Sequence, residues 1–322
     1  MNEVTDISTV VHGKTDDKMQ SKIWFGFFKS VFDFLDNAGI PSWEDTENLV
    51  KISVLDTGVN MDNPFLRLNR DRIDSTSFID TGDTNDTDGH GTHIDALLLK
   101  MARNAKIYVA KVAETHDSPD SVAIAEAIEF ARKEWKVDII NMSFGFMEPC
   151  EPIRQEIQLA HSADIIMFAA GHNDGGNRPI AFPANSANVI AIGATNSHGK
   201  DSGFGPFMGI ISLGKSKSGT SFATPIAAGI AALTMDYVSY LKDPEFYPLP
   251  PKAKTEDEVK EVLEDRQVVA ARIKTLEGMT AALRRLSVDS NSYQYLSPWT
   301  LFDLRQRDEV PSILLNCLRG LR

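Results

Sequence analysis

Short apolar runs alternate with helical patterns through the middle of the chain. The runs Val50 to Asp56, Lys106 to Val112, Val137 to Ser143, Asp164 to Ala170 and Asn188 to Ala194 are short and rich in β-branched residues, and each reads as a strand. VDIINMS and DIIMFAA are apolar on both faces, the pattern of strands covered by helices on each side. Between the second and third runs, SVAIAEAIEFARKEW sets Ile124, Ala127, Ile128 and Ala131 at helical spacing opposite Glu126, Glu129 and Arg132. The alternation predicts βαβ units, hence an α/β fold with a mostly parallel sheet covered by helices on both faces.

The flanks differ from this core. Ahead of it, Trp24, Phe25, Phe28, Phe32 and Leu35 crowd into one segment that ends at Gly39 and Pro41 and reads as a helix. Such a helix either packs on the domain as an extra core element or serves as a docking or autoinhibitory one. After the core, LKDPEFYPLPPKAK is a proline-rich break. A charged helical stretch from Thr255 to about Leu286 and a mixed tail from Tyr293 to Arg322 follow. The expected organisation is an N-terminal helical extension (1–47), a central α/β domain (48–242) and a C-terminal helical extension (243–322). The terminal extensions are where a regulatory partner would bind.

Composition narrows the function classes. The 322 residues carry 45 acidic against 33 basic side chains, a formal net charge of -12, which disfavours a phosphate backbone as partner. Nucleic acid is not expected. Only Cys150 and Cys317 occur, the usage of a reducing compartment and not of a disulfide-stapled secreted domain. The first twenty residues lack the basic, apolar and small-residue regions of a secretory signal, and no apolar run in the sequence pattern reads as a membrane span. A cytoplasmic protein is expected.

Three residues stand where chemistry is done. Asp56 ends a buried-strand pattern in KISVLDTGVN, and Thr57-Gly58 then turn the chain, presenting the carboxylate at the carboxyl edge of the sheet; read alone, it is equally a turn or cap residue. His90, in TDGHGTH, falls at the start of a helix, with His93 one turn onward. The H-x-x-H spacing suggests zinc, but the glutamate of H-E-x-x-H is missing and no cysteine is near, so no metal is assigned and His93 reads as structural. Ser221 precedes a long helix rich in small apolar residues, with Pro225 read as lying in its first turn; by itself such a serine is an N-terminal cap.

Together, D-T-G on a strand, H-G-T-H at a helix start and G-T-S-x-A-x-P on a buried helix, in that order, resemble the subtilisin family over roughly residues 48 to 240. IINMSFG resembles the family's substrate-pairing strand, and AAGHNDGG places Asn173 at its oxyanion asparagine. The resemblance implies a serine endopeptidase with Asp56, His90 and Ser221 as catalytic triad and Asn173 as oxyanion donor. It also implies substrate contacts at Ser143, Phe144 and Gly145, and a primary pocket walled by Ala170 and Gly171 and floored by Ala181. A protein or peptide is the expected substrate, and no cofactor is expected. The pocket residues favour a bulky apolar side chain before the scissile bond, with Asp174 at the rim as a competing attraction for a basic one.

The sequence also departs from the family. Only 55 residues precede Asp56, too few for the usual prodomain. IDALLLKMARNAKIYVAKV runs straight through the place where a calcium-binding loop usually interrupts the helix, and GIISLGKSKSGTS is short. The architecture resembles leaderless cytosolic subtilisin-like domains of fungi, which implies regulated limited cleavage of an intracellular protein. The alternatives are a catalytically silent subtilisin-like domain kept to bind partners, and an aspartic protease, since D-T-G recurs at Asp80-Thr81-Gly82.

Overall fold

The structure is a computed structural model, and it describes residues 17–43, 49–79, 82–171, 180–194, 219–290 and 293–321. Six parallel strands form its main sheet: β1 (Val50–Asp56), β2 (Ile73–Ser77), β3 (Ala105–Lys111), β4 (Ile139–Met142), β5 (Ile166–Ala170) and β6 (Ile190–Ile192). They lie in the order β2-β3-β1-β4-β5-β6, so the chain passes from β1 to the edge at β2, returns to β3 beside β1, and then crosses to the other side, where β4 to β6 build outward. The subtilisin-like α/β architecture is thus present, and it rules out the all-β frame of an aspartic protease.

Alternation along β1 serves two cores. Ile52 and Val54 enter one, beneath α3 (His90–Met101) and α6 (Thr220–Tyr240), while Leu55 enters the other, beneath α4 (Ser121–Phe130) and α5 (Glu151–Ser162). The short helix α2 (Pro64–Leu68) sits between β1 and β2. Helix α4 starts where the Asp120 carboxylate accepts the amides of Val122 and Ala123, and it ends in a π-turn over Ala131–Trp135.

The terminal segments join the first core as a further layer. Helix α1 (Asp17–Asn37) buries Trp24, Phe28, Val31, Phe34 and Leu35, so its aromatic face is a core element. Beside it are α7 (Glu256–Ala271), α8 (Leu276–Arg285), the hairpin β7 (Ser287–Ser290) and β8 (Tyr293–Leu296), and α9 (Val310–Arg319). Phe34 meets Phe302 at 5.3 Å and Tyr237 of α6 at 5.8 Å, ring centre to ring centre. Arg103, just past α3, pairs with Asp36 and donates to the Ile40 carbonyl at 2.6 Å.

Two sequence readings change. Pro225 is the sixth residue of α6 and not in its first turn, so the Ser221 carbonyl loses the amide that would normally close on it four residues later. And α6 is, by length and composition, apolar enough to cross a bilayer; its most apolar stretch is 94% buried inside the protein.

Candidate active site

Asp56 ends β1 beside the point where the strand order reverses, the crevice where open α/β sheets place their sites. Two glycines let α3 start close to it. At Gly58 (φ +104°) a Cβ would lie 2.4 Å from the Thr84 carbonyl oxygen, and at Gly91 one would lie 2.3 Å from the Gly58 carbonyl oxygen. The result is a buried pair: His90 Nδ1 stands 2.8 Å from Asp56 Oδ1, at 4% and 5% exposure. The Thr57 amide donates to the same carboxylate oxygen at 2.8 Å. A proton on Nδ1 donated to Asp56 makes Nε2 the ring nitrogen that carries the lone pair, the atom through which an imidazole acts as a base.

A second carboxylate, unforeseen in the sequence reading, holds the two elements together. Asp86 Oδ1 accepts from the Thr57 hydroxyl at 2.8 Å and from the amides of Gly89 at 2.8 Å and Asp88 at 3.1 Å. Its Oδ2 accepts from the Thr92 amide at 2.8 Å and the Thr92 hydroxyl at 2.6 Å. Thr57 Oγ1 in turn accepts the Gly91 amide at 3.0 Å. The end of β1 and the start of α3 therefore share one ligand for their loose amides. Burial pushes the Asp86 carboxyl up, but the bonds from Thr92, Gly89 and Thr57 outweigh it and hold the group below the usual carboxylate range. The signal was an aspartate four residues ahead of His90, where a helix start wants acceptors.

Ser221 is the second residue of α6 and half-buried. The next residue, Phe222, sets its ring 5.2 Å from the His90 ring and, edge-on, 5.2 Å from His93, so α3 and the first turn of α6 meet at the histidine. His93 packs there as an aromatic neighbour. Asn173 lies outside the described residues, as do Asp174, Asp80 and Thr81.

Beyond β4, Ser143 accepts from Asn141 Nδ2 at 3.0 Å, and Phe144 and Gly145 follow it. The next residue, Phe146, bridges to Phe182 through paired backbone bonds of 2.6 and 3.0 Å. The Gly171 amide donates to Ile192 at 2.9 Å, and the Ala181 amide to Gly171 at 3.0 Å. A Cβ on Gly145 would lie 2.8 Å from the Ala181 methyl and 4.0 Å from the Ala170 carbonyl oxygen, so Gly145, Ala170, Gly171 and Ala181 converge.

On α3, Asp95 is wholly buried, and neither carboxylate oxygen has a hydrogen-bond partner among the described residues. Burial pushes this carboxyl well above the usual range, with the charges of Asp56 and Asp86 adding to the effect. It favours the neutral acid. Helix α3 then runs unbroken to Met101, and three residues carry the chain to β3, leaving no interrupting loop to offer calcium ligands there.

A model of the subtilase family, Peptidase_S8, matches residues 47–205, a span that includes Asp56 and His90 and ends before Ser221. Subtilisin Savinase from Lederbergia lenta is 32% identical over 209 residues, covering 57% of this chain and 75% of Savinase. The chain belongs to the subtilase family. Subtilisin DY from Bacillus licheniformis is 30% identical over 215 residues and 76% covered. Among longer subtilases, the alkaline protease of Alkalihalobacillus alcalophilus is also 32% identical over 209 residues, but the match spans about half of it, 53%. In three dimensions the chain shares the fold of the prenylagaramide maturation protease PagA, with a TM-score of 0.55 at 21% identity, over 88% of this chain and 98% of that one.

Proposed function

We propose that this subtilase is a serine endopeptidase acting by regulated, limited cleavage of an intracellular protein. The observation that carries the chemistry is the buried pair of His90 Nδ1 and Asp56 Oδ1 at 2.8 Å, beside the first turn of α6 that holds Ser221. A serine hydroxyl is a weak nucleophile at neutral pH, so His90 takes its proton as Ser221 attacks the peptide carbonyl. The same proton then passes to the leaving amine, which departs and leaves an acyl-enzyme for water to hydrolyse. Asp56 fixes the imidazole tautomer and stabilises the imidazolium. The oxyanion is assigned to the Asn173 side-chain amide and the Ser221 backbone amide.

The convergence of Gly145, Ala170, Gly171 and Ala181 supports a primary pocket with small walls, and Ser143 to Gly145 would pair with the substrate backbone. Burying a lysine or arginine there without a buried carboxylate costs desolvation energy, so a bulky apolar residue before the scissile bond is expected. The two cysteines are unpaired, which fits action in a reducing cytoplasm.

The test is labelling with a fluorophosphonate, followed by hydrolysis of a peptide library. Labelling that Ser221→Ala abolishes supports the endopeptidase. Its absence from the folded wild-type chain would instead establish a catalytically silent, partner-binding domain. Comparison of new protein N-termini in cells carrying wild type or Ser221→Ala then tests limited cleavage, with widespread new termini counting against it.

A further inference from the structure

His116 lies beyond β3, in a loop that none of the assigned roles uses. Its ring stacks on His90 with centroids 5.2 Å apart and planes 12° apart. Phe222, inclined at 58°, packs against the same His90 ring. His116 is itself anchored: its Nδ1 stands 3.0 and 3.2 Å from the two oxygens of Asp88, and its backbone amide donates to Asp88 at 3.4 Å. Its Nε2 is 3.3 Å from Asp117. Asp88 meanwhile accepts the His90 amide at 3.2 Å, so one carboxylate holds the backbone of the first histidine and the ring of the second. The side chain of His116 is 48% exposed and that of His90 6%, which puts the outer imidazole between solvent and the buried one.

We propose that His116 and Asp88 form a positioning pair for His90, holding its ring in the plane that serves Asp56 and lowering its readiness to take up a proton when His116 is charged. The proposal rests on the protease reading and adds to it a control of the base. A base that passes a proton from serine to leaving group must not swing away between the two steps, and a ring packed against both Phe222 and His116 has less room to do so. Two imidazoles in this stack repel when both carry charge, so charge on one disfavours charge on the other.

The other charges on the two rings set the sign. Asp88, from the lead-in to α3, and Asp117, from the same loop, both face His116. Glu114 on that loop is paired with Lys111 at 3.2 Å. His90 faces Asp56 from β1, and Asp56 and Asp86 in turn act on the buried Asp95 carboxyl of α3. Burial pushes the Asp88 carboxyl up, but its bonds to His116, the charge of that ring and the bond from the His90 amide outweigh it and hold the group below the usual range. Asp88 is therefore an anion, and charge on the His116 ring offsets it beside His90. With His116 made neutral, Asp88 faces His90 uncompensated, and the proton on His90 is held more tightly.

The experiment compares His116→Phe, which keeps a flat ring without charge, with His116→Ala, which removes both. The pH profile of kcat/KM is read on a peptide substrate, and the ring resonances of His90 are titrated by NMR in a Ser221→Ala background. In both variants the acid limb and the His90 midpoint should move to higher pH by about half to one unit. On the plateau His116→Phe should retain most of kcat, while His116→Ala should lose about tenfold in kcat with KM little changed. An unmoved His90 midpoint in both variants overturns the coupling, and a wild-type kcat in His116→Ala overturns the positioning. Failure of the wild-type chain to label with a fluorophosphonate would overturn the protease reading separately, since the NMR titration reads the coupling without turnover.

Discussion

At the carboxyl edge of the sheet, Asp86 gathers five donors from the end of β1 and the start of α3, all within one turn of His90. On the flank where α1 meets α6, Phe34, Tyr237 and Phe302 meet ring to ring, and Trp24 buries its indole nitrogen with no hydrogen-bond partner among the described residues. The edge is held by directional bonds, each fixing an angle as well as a distance. The flank is held by area, which is indifferent to small rotations. The contrast teaches that the geometry of the candidate site and global stability draw largely on separate parts of this molecule, so most substitutions should affect one far more than the other.

The largest effect is expected at the edge. Ser221→Ala or His90→Ala should reduce peptide hydrolysis by about 10,000-fold or more, with the double variant little worse than either single one, because the residues act as a unit. Thermal unfolding should barely change, and a folded Ser221→Ala enzyme with substantial turnover would remove the serine from the mechanism. Next comes the flank, where Phe302→Ala should cost about 3 to 5 kcal/mol in urea denaturation while kcat per folded molecule stays at the wild-type level. A matching fall in kcat would join the two regions that the comparison separates.

Asp86→Ala is the variant that should touch both quantities. It orphans donors at a strand end and a helix start at once, so about 2 to 4 kcal/mol of stability and about tenfold or more of kcat should go together. The folded-state pKa of Asp86 is depressed, so its contribution is present above the unfolded value and is lost as pH falls through the lower, folded one. The stability gap between wild type and variant should therefore close in acid; a gap independent of pH would assign the loss to packing.

The smallest effect has the opposite sign. Burial pushes the carboxyl of Asp236 up to about 6 despite the bond from Asn104 and the charge of Arg103. An acid raised in the folded state destabilises as pH rises from its ordinary 3.8 toward that value. Asp236→Asn should thus gain about 1 to 2 kcal/mol at pH 7 and nothing near pH 3.5. Equal stability at both values would place the charge of Asp236 in water.

What the sequence makes legible follows the same division. β1 and the strands beside it announce themselves as β-rich apolar runs, because both of their faces are covered. β2 does not: IDSTS is a half-exposed edge strand with little apolar content to mark it. The hairpin of β7 and β8 escapes for a like reason, and the charged stretch after Thr255 turns out to be two helices parted at Arg272, whose guanidinium donates to the carbonyls of Leu318, Arg319 and Leu321. That break is tertiary and leaves no local pattern. At the site, Asp56, His90 and Ser221 stand out through their motifs, whereas Asp86 and His116 matter for what they touch across the fold. Pro225 shows the limit of a local rule, since its position in α6 depends on where the helix begins.

Helix α6, which carries Ser221, is also the innermost helix of the protein, enclosed between α3, the sheet and the terminal layer. During synthesis Asp56 and His90 leave the ribosome well over a hundred residues before Ser221, a delay of roughly ten seconds. The segment that brings the proposed nucleophile is thus also the one that fills the space between α3 and the sheet, before the terminal layer follows. On the serine-protease reading, a nascent chain that ends before α6 holds an acid and a base with nothing to activate. On that reading, the order in which the chain is made holds activity back until the core that carries the site is whole.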